Sequence, residues 1–304
     1  MGRAEEVTVD TDGQPLTEVT RQLVMEINRV HGMAFTLRSR CLAGLQNGAW
    51  RLTDRDGQPA ILKWSTDGSA AQILHRAATV ARLRAAGYPT PRWLAAGATT
   101  DGRVYHIQDF VPGAAAHPLT VPAAELLLAV LEQQAGLDPD PAADRNQQVR
   151  SAALEDSAGG LRRSLRQLGT PGRSLIARYD RLLDGHPPVQ LPAGDVVHGD
   201  FNTCNILVHR GRVSRVIDVE ALGSGSRVID FACLLREAYV ADYDVEVRRM
   251  LHRAGAAVAG PAALALCVTA TAFFIVGFKR RHQPASVIRA LARLHQLAED
   301  LAAA

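Results

Sequence analysis

Lysine is nearly missing from this chain: of its 34 basic residues only Lys63 and Lys279 are lysines, and arginine supplies the rest. Cysteine is scarce as well. Cys41, Cys204, Cys233 and Cys267 are the only four, and none stands in a C-x-x-C pair. That spacing excludes a zinc ribbon or a disulfide framework and fits a reducing, cytoplasmic setting. Charge of one sign is also lacking. The 34 basic and 31 acidic residues are interspersed and leave +3, so no nucleic-acid partner is expected despite a pI near 8.8. The opening residues Met1-Gly-Arg-Ala-Glu-Glu have no apolar core of the kind a signal peptide needs. One long apolar run, Ala262 to Phe278, ends on Lys279-Arg280-Arg281. It sits at the lower limit for a membrane span and reads as a helix buried in a protein core, with no membrane partner. Repeats and low-complexity stretches are absent.

What the chain does have is material for a substantial core: 304 residues, 47% of them hydrophobic. Val19, Leu23, Ile27 and Val30 recur at helical spacing and predict a helix over 17–30. Asn47-Gly48 and Asp56-Gly57 are hairpin dipeptides, separating strands at 35–43, 48–54 and 59–65. A helix over 69–86 stops at Gly87 and Pro89, and strands at 92–98 and 103–109 come after it. The Pro112-Gly113 pair breaks regular structure. Beyond it the pattern predicts helices over 121–135, 146–168, 171–184, 243–257, 261–280 and 285–302, with a short β element around His209-Arg-Gly211. The expected fold is α+β: a small antiparallel-sheet lobe with one inserted helix over 1–108, a linker over 109–113, and a mainly helical lobe over 114–304. A monomer or dimer would suit it, with ligands bound in the cleft between the lobes.

The informative segment is His198-Gly-Asp200-Phe-Asn-Thr-Cys-Asn205, followed by Ile217-Asp218-Val-Glu220. Phosphoryl transfer from ATP needs a carboxylate near the attacking hydroxyl, oxygen ligands for magnesium and a cation on the phosphates. Asp200 can orient the hydroxyl and accept its proton. Asn205 and Asp218 offer hard oxygen donors, and a hairpin between them returns one beside the other. Taken singly, each of these residues is equally at home capping a turn.

At these residues the chain resembles the aminoglycoside phosphotransferase family, small-molecule kinases related to the eukaryotic protein kinases. His198, Asp200, Asn205 and Asp218 match that family's loop and its Ile-Asp strand in order and spacing. Weaker matches run from about residue 35 to 240: Ile61-Leu-Lys63, Gly87-Tyr-Pro89, Phe110-Val-Pro-Gly113 and Asp230-Phe-Ala-Cys-Leu. The resemblance implies a two-lobed protein-kinase-like fold, Asp200 as the catalytic base, and Asn205 and Asp218 as magnesium ligands. It also implies that Lys63 binds the ATP phosphates, under a hairpin containing Gly44, Asn47 and Gly48. The adenine would lie against the linker at Asp109, Phe110 and Val111, where backbone recognition leaves GTP open. His198 and Asp230 read as braces of the loop.

Two positions depart from the family. Where it has a glutamate to pair with the strand lysine, counting back from Gly87 gives Arg76, on the stripe of Ile73, Val80 and Leu83 and so expected to point inward. Where it often has Pro-Gly, this chain has Thr203-Cys204, with Cys204 read as an unreactive packing residue. On the acceptor side, Glu220, two residues past Asp218, is placed to reach metal or substrate, and the cluster Glu237, Asp242 and Asp244 would suit a polycationic acceptor such as an aminoglycoside or another basic antibiotic. A solvated acidic helix start is the favoured reading of that cluster. A kinase of choline, homoserine or a sugar is the alternative function, and an inactive nucleotide-binding scaffold the alternative of another class.

Overall fold

The structure is a computed structural model and describes residues 16–41, 48–138, 140, 143–156 and 160–304. It divides into two compact units. The first runs as far as Arg84 and takes in Pro91–Val111; the second holds Ala85–Thr90 and Pro112–Ala304. The chain passes between them within the expected linker, but the short segment 85–90 belongs to the second unit.

The first unit contains α1 (Leu16–His31), β1 (Thr36–Cys41), β2 (Ala49–Thr53), β3 (Pro59–Ser65), α2 (Ala70–Ala85), β4 (Trp93–Ala98) and β5 (Val104–Asp109). Its five strands form an antiparallel sheet in the order β1-β2-β3-β5-β4. The β2–β3 hairpin turns at Asp56-Gly57, where Gly57 takes φ +78°, and Asp54 Oδ1 accepts the N–H groups of Asp56 and Gln58. Side chains alternate across a strand. Ala60, Leu62 and Trp64 of β3 therefore share one face with Trp50, Leu52, Tyr105 and Ile107, and α1 lays Leu16, Val19, Leu23, Val24 and Ile27 into the same core. Each large apolar side chain buried there contributes about 1.5–3 kcal/mol. The Trp64 indole N–H donates to Thr20 Oγ1 (3.1 Å), whose own proton goes to Leu16 O (2.7 Å), so the packing has a polar latch. The same alternation puts Lys63 on the opposite face, directly across from Ala49 and His106.

The second unit is built from β6 (Ala114–Ala115), α3 (Val121–Glu132), α4 (Arg145–Leu154), α5 (Leu161–Arg166), α6 (Thr170–Asp184), β7 (Asp195–Val197), β8 (Ile206–His209), β9 (Arg212–Val216), β10 (Gly223–Gly225), α7 (Val228–Val240), α8 (Val245–Ala259), α9 (Pro261–His282) and α10 (Val287–Ala302). Two small sheets, β6-β8-β9 and β10-β7, lie among the helices. α9 carries the apolar run, and by length and composition it is long enough to cross a membrane. Its apolar window is 72% buried inside the protein, against α4 to α8 and α10. The threonines in that run bond back to their own helix, Thr269 Oγ1 to Ala265 O and Thr271 Oγ1 to Val268 O, which makes their burial tolerable.

Besides the short strands β6, β7 and β10, which the sequence pattern does not show, two helical regions depart from the sequence-based expectations. The single helix expected over 146–168 is two, α4 and α5, with Gly160 in an extended conformation at the start of α5. The sequence pattern gives no sign of α7. That helix is buried nearly all round, so it shows no polar face to mark a helical period.

Candidate active site

β7 delivers the chain into His198, and the start of the loop His198–Asn205 is held from below by one carboxylate. Asp230, in the first turn of α7 and fully buried, accepts the N–H of His198 (2.6 Å), the N–H of Gly199 (2.8 Å) and a proton from Nε2 of Gln134 (2.9 Å). Burial pushes its carboxyl pKa up; its interaction with His198 and the three donors pull the other way. Gly199 makes the bend with φ +81°, a conformation that a side chain would strain. His198 is also fully buried. Its Nδ1 accepts the N–H of Asp200 (3.2 Å), so Nε2 carries the proton and donates it to Ile217 O (2.9 Å). One imidazole thus ties the loop His198–Asn205 to the strand that leads to Asp218. Both residues are braces, as their positions in the sequence suggest.

Asp200 itself is exposed. Asn205 Nδ2 donates to its carbonyl (2.9 Å) and to its Oδ2 (3.2 Å), while Asn202 Nδ2 also reaches the carbonyl (3.0 Å). The turn between them is a short 3-10 turn, Thr203–Asn205, whose N–H groups at Cys204 and Asn205 are capped by Asn202 Oδ1. At the other side of the hairpin, Ile217 N–H donates to Asn205 O (2.8 Å), which sets Asp218 one residue beyond that bond. Asp218 is exposed and adopts a left-handed conformation, φ 64° and ψ 42°. Such a conformation in a non-glycine residue costs about 1–3 kcal/mol and clusters at functional sites. Asn205 thus contacts Asp200 through its side chain and is joined through its backbone to the residue before Asp218.

The donor set suits a hard divalent cation. With Nδ2 of Asn205 committed to Asp200, the amide's Oδ1 is the acceptor oxygen that an ion would use. No group of three His, Cys, Asp or Glu is placed to hold a metal among the described residues. One amide and one carboxylate are nonetheless what magnesium uses when nucleotide phosphates and water complete its shell.

A family model, that of the phosphotransferase enzyme family APH, matches residues 39–267. The chain belongs to this family. No curated protein matches it. Among solved structures it is similar to a thermostable mutant of aminoglycoside phosphotransferase APH(4)-Ia in ternary complex with ADP and hygromycin B, with TM-score 0.65 and 14% identity over 92% of this chain and 97% of that one. It is similar also to the amicoumacin kinase hAmiN in complex with AMP-PNP, Ca2+ and Ami (TM-score 0.59, 16% identity, 93% and 96% covered). A third is the macrolide 2'-phosphotransferase MphH from Brachybacterium faecium (TM-score 0.55, 19% identity, 91% and 98% covered). At these identities the likeness is one of fold, and that fold is protein-kinase-like and two-lobed. This phosphotransferase is thus a small-molecule kinase with a hydroxyl acceptor.

Lys63 is half-buried on the outer face of β3. Asp109 closes β5 and pairs with Arg92 (3.4 Å), and Arg51 lies over the Phe110 ring at 5.5 Å; Val111 comes next, half-buried. Gly48 is described, with φ +79°, whereas Gly44 and Asn47 lie outside the described residues. Arg76 differs from expectation. It stands at the angle of the apolar stripe, yet it is exposed, because its long stem carries the guanidinium out to water. α2 contains no acidic residue, so that helix does not supply the glutamate with which the family pairs its strand lysine.

The acidic cluster has work within the protein. Glu237 accepts from Thr203 and Tyr243, Asp242 is paired with both Arg248 and Arg293, and Asp244 caps α8 through the N–H of Glu246. Glu220 lies two residues past Asp218, but its carboxylate oxygens are shielded from solvent. Cys204 is exposed, not packed; its partial burial and the charges of Glu237 and Asp200 push its thiol pKa up. Sequence reasoning missed Gln134, whose bond to Asp230 spans 96 positions, and Arg145, which donates to Ala221 O just past Asp218. Arg145 can reach that carbonyl because residue 223 is glycine: a Cβ there would lie 2.7 Å from the arginine Nε.

Proposed function

We propose that this enzyme transfers the γ-phosphoryl group of ATP to a hydroxyl of a natural-product antibiotic, an aminoglycoside or another basic antibiotic being the first class to test. The observation that carries the reading is the Asp200–Asn205 contact, 3.2 Å, in a loop braced by a buried carboxylate and joined to the Asp218 strand. Asp200 orients the acceptor hydroxyl and receives its proton at Oδ1. The hydroxyl oxygen forms its bond to the γ-phosphorus as the bond to the β–γ bridging oxygen breaks, and ADP leaves. Asn205 Oδ1 and the Asp218 carboxylate would hold magnesium, which when bound offsets charge on the phosphates. We assign Lys63 to the α- and β-phosphates, and the backbone at Asp109 and Val111, with Phe110, to the base. Positioning and fixed electrostatics supply most of the rate enhancement in such a scheme. A cytoplasmic location goes with the need for ATP and with four cysteines that form no disulfide.

The antibiotic class is supported by the compounds named with the similar structures: hygromycin B, amicoumacin and a macrolide. One observation favours a second reading, a kinase of choline, homoserine, a sugar or another small metabolite. Glu237, Asp242 and Asp244 are committed to protein partners, so recognition of a polycation cannot rest on them. The test is ATP consumption across a panel of basic antibiotics, macrolides and small alcohols, with mass spectrometry for an added phosphoryl group. A phosphorylated metabolite with every antibiotic untouched would replace the first reading by the second. No product from any acceptor, with nucleotide still bound, would leave a nucleotide-binding scaffold.

A further inference from the structure

Every polar group of Thr203 is taken. Its N–H donates to Glu237 Oε2 (2.9 Å), its hydroxyl to Glu237 Oε1 (2.5 Å), and its carbonyl accepts the N–H of Ala116 (3.0 Å); the residue is fully buried. Behind the carboxylate stands Tyr243, whose O–H donates to the same Oε1 (3.2 Å). With its single proton so used, the phenol accepts from Nδ1 of His117 (2.6 Å). Segments from α7, from the turn before α8 and from the stretch after β6 thus converge on the residue that opens the 3-10 turn Thr203–Asn205.

We propose that Glu237 is a positioning residue for the divalent cation: by gripping Thr203 it fixes the turn that aims Asn205 Oδ1. The inference rests on the assignment of Asn205 and Asp218 as the cation's ligands. Its physical basis is the identity of residue 203. A proline there has no N–H to satisfy, and its ring holds φ near the helical value, which suits the first position of a helical turn. Threonine has neither property. Its backbone is free to leave the turn, and its buried N–H needs an acceptor. Glu237 supplies that acceptor and a second one for the hydroxyl, so an outside carboxylate does what a proline ring does from within. Asn205 lies two residues on, and its Nδ2 still has to meet Asp200 while Oδ1 faces the ion. A shift of the turn would break that double duty.

The test compares Glu237→Ala, Thr203→Pro and the double variant. AMP-PNP is titrated into each by calorimetry, with and without magnesium, and a thermal melt confirms folding. Glu237→Ala is expected to weaken the magnesium-dependent part of the affinity roughly 10- to 100-fold, the usual loss when a partner of a metal ligand is removed. Metal-free AMP-PNP binding should stay the same. Adding Thr203→Pro should restore most of the loss, which a purely structural or substrate-binding role for Glu237 does not predict. A folded Glu237→Ala with magnesium-dependent affinity within about twofold of the parent (under ~0.5 kcal/mol) overturns the proposal, and so does a double variant with no recovery. Should Glu237→Ala not fold, Glu237→Gln, which keeps one acceptor oxygen, carries the same comparison. The prior assignment fails separately: it is lost if the parent shows no magnesium-dependent gain, or if Asp218→Ala keeps that gain in full.

Discussion

Replacing Asp230 by asparagine changes one atom at the base of the catalytic loop and removes one of the loop's anchors. Oδ2 of Asp230 takes the protons of His198 and Gln134, and Oδ1 takes that of Gly199. The better of the two amide orientations keeps the oxygen at the first pair and turns an NH2 group toward the N–H of Gly199. One buried donor then loses its acceptor and meets another donor, at a cost of about 1–3 kcal/mol. At roughly 2–4 °C per kcal/mol for a unit of this size, the melting temperature should fall by about 2–12 °C. Turnover should fall with it, since Gly199 is the residue before Asp200. The effect has a pH dependence whose sign is fixed. Burial raises the folded-state pKa of Asp230 above its ordinary value. The stability it contributes is therefore fully present below the ordinary carboxylate range, about pH 4, and declines as pH rises through the raised value. Asparagine does not titrate, so this decline with pH should be missing from Asp230→Asn. Melts across the acid-to-neutral range, read beside turnover at neutral pH, decide it. A variant that melts and turns over like the parent would refute the bracing role.

Three further outcomes are expected. Arg76→Ala should leave nucleotide affinity unchanged and stability within about ±0.5 kcal/mol, because the side chain is exposed; a loss of affinity in calorimetry would put that arginine on the phosphates. Burial pushes the Tyr243 hydroxyl up to about 12, so its contribution to stability is present below about pH 10 and lost as pH rises toward that value. Tyr243→Phe should accordingly lose less stability than the parent between about pH 10 and 12 in urea titrations, and an equal loss would contradict this. Leu62→Ala, in the fully buried core of the sheet, should cost about 2–5 kcal/mol, measured by the same titrations.

The parts of this molecule that can be read from its sequence are those whose physics is local. The strands β2 and β3 are visible because Asp56-Gly57 supplies the turn and their side chains alternate, and that alternation also puts Lys63 off the core face. The loop His198–Asn205 is visible because phosphoryl transfer, the chemistry proposed for it, asks for particular residue types at a fixed spacing. What stays hidden depends on partners far away in the chain. α7 is buried nearly all round, so its period is invisible. Gln134 is one glutamine among many until it meets Asp230. Glu237, Asp242 and Asp244 read as one acidic cluster because charge is all that a sequence displays. Their separate duties, bracing a turn, pairing with two arginines and capping a helix, appear only with the contacts. Arg76 shows a related limit, since helical angle alone does not say where a long, flexible side chain ends.

The mechanism turns on Asp200 as the group that takes the acceptor's proton. Turnover of Asp200→Ala, measured with an accepted hydroxyl substrate beside its affinity for magnesium-ATP, tests this most directly. A fall of about 10²- to 10⁴-fold in kcat with nucleotide affinity unchanged is the predicted result. Near-normal kcat in that variant would remove Asp200 as the base, and with it the mechanism.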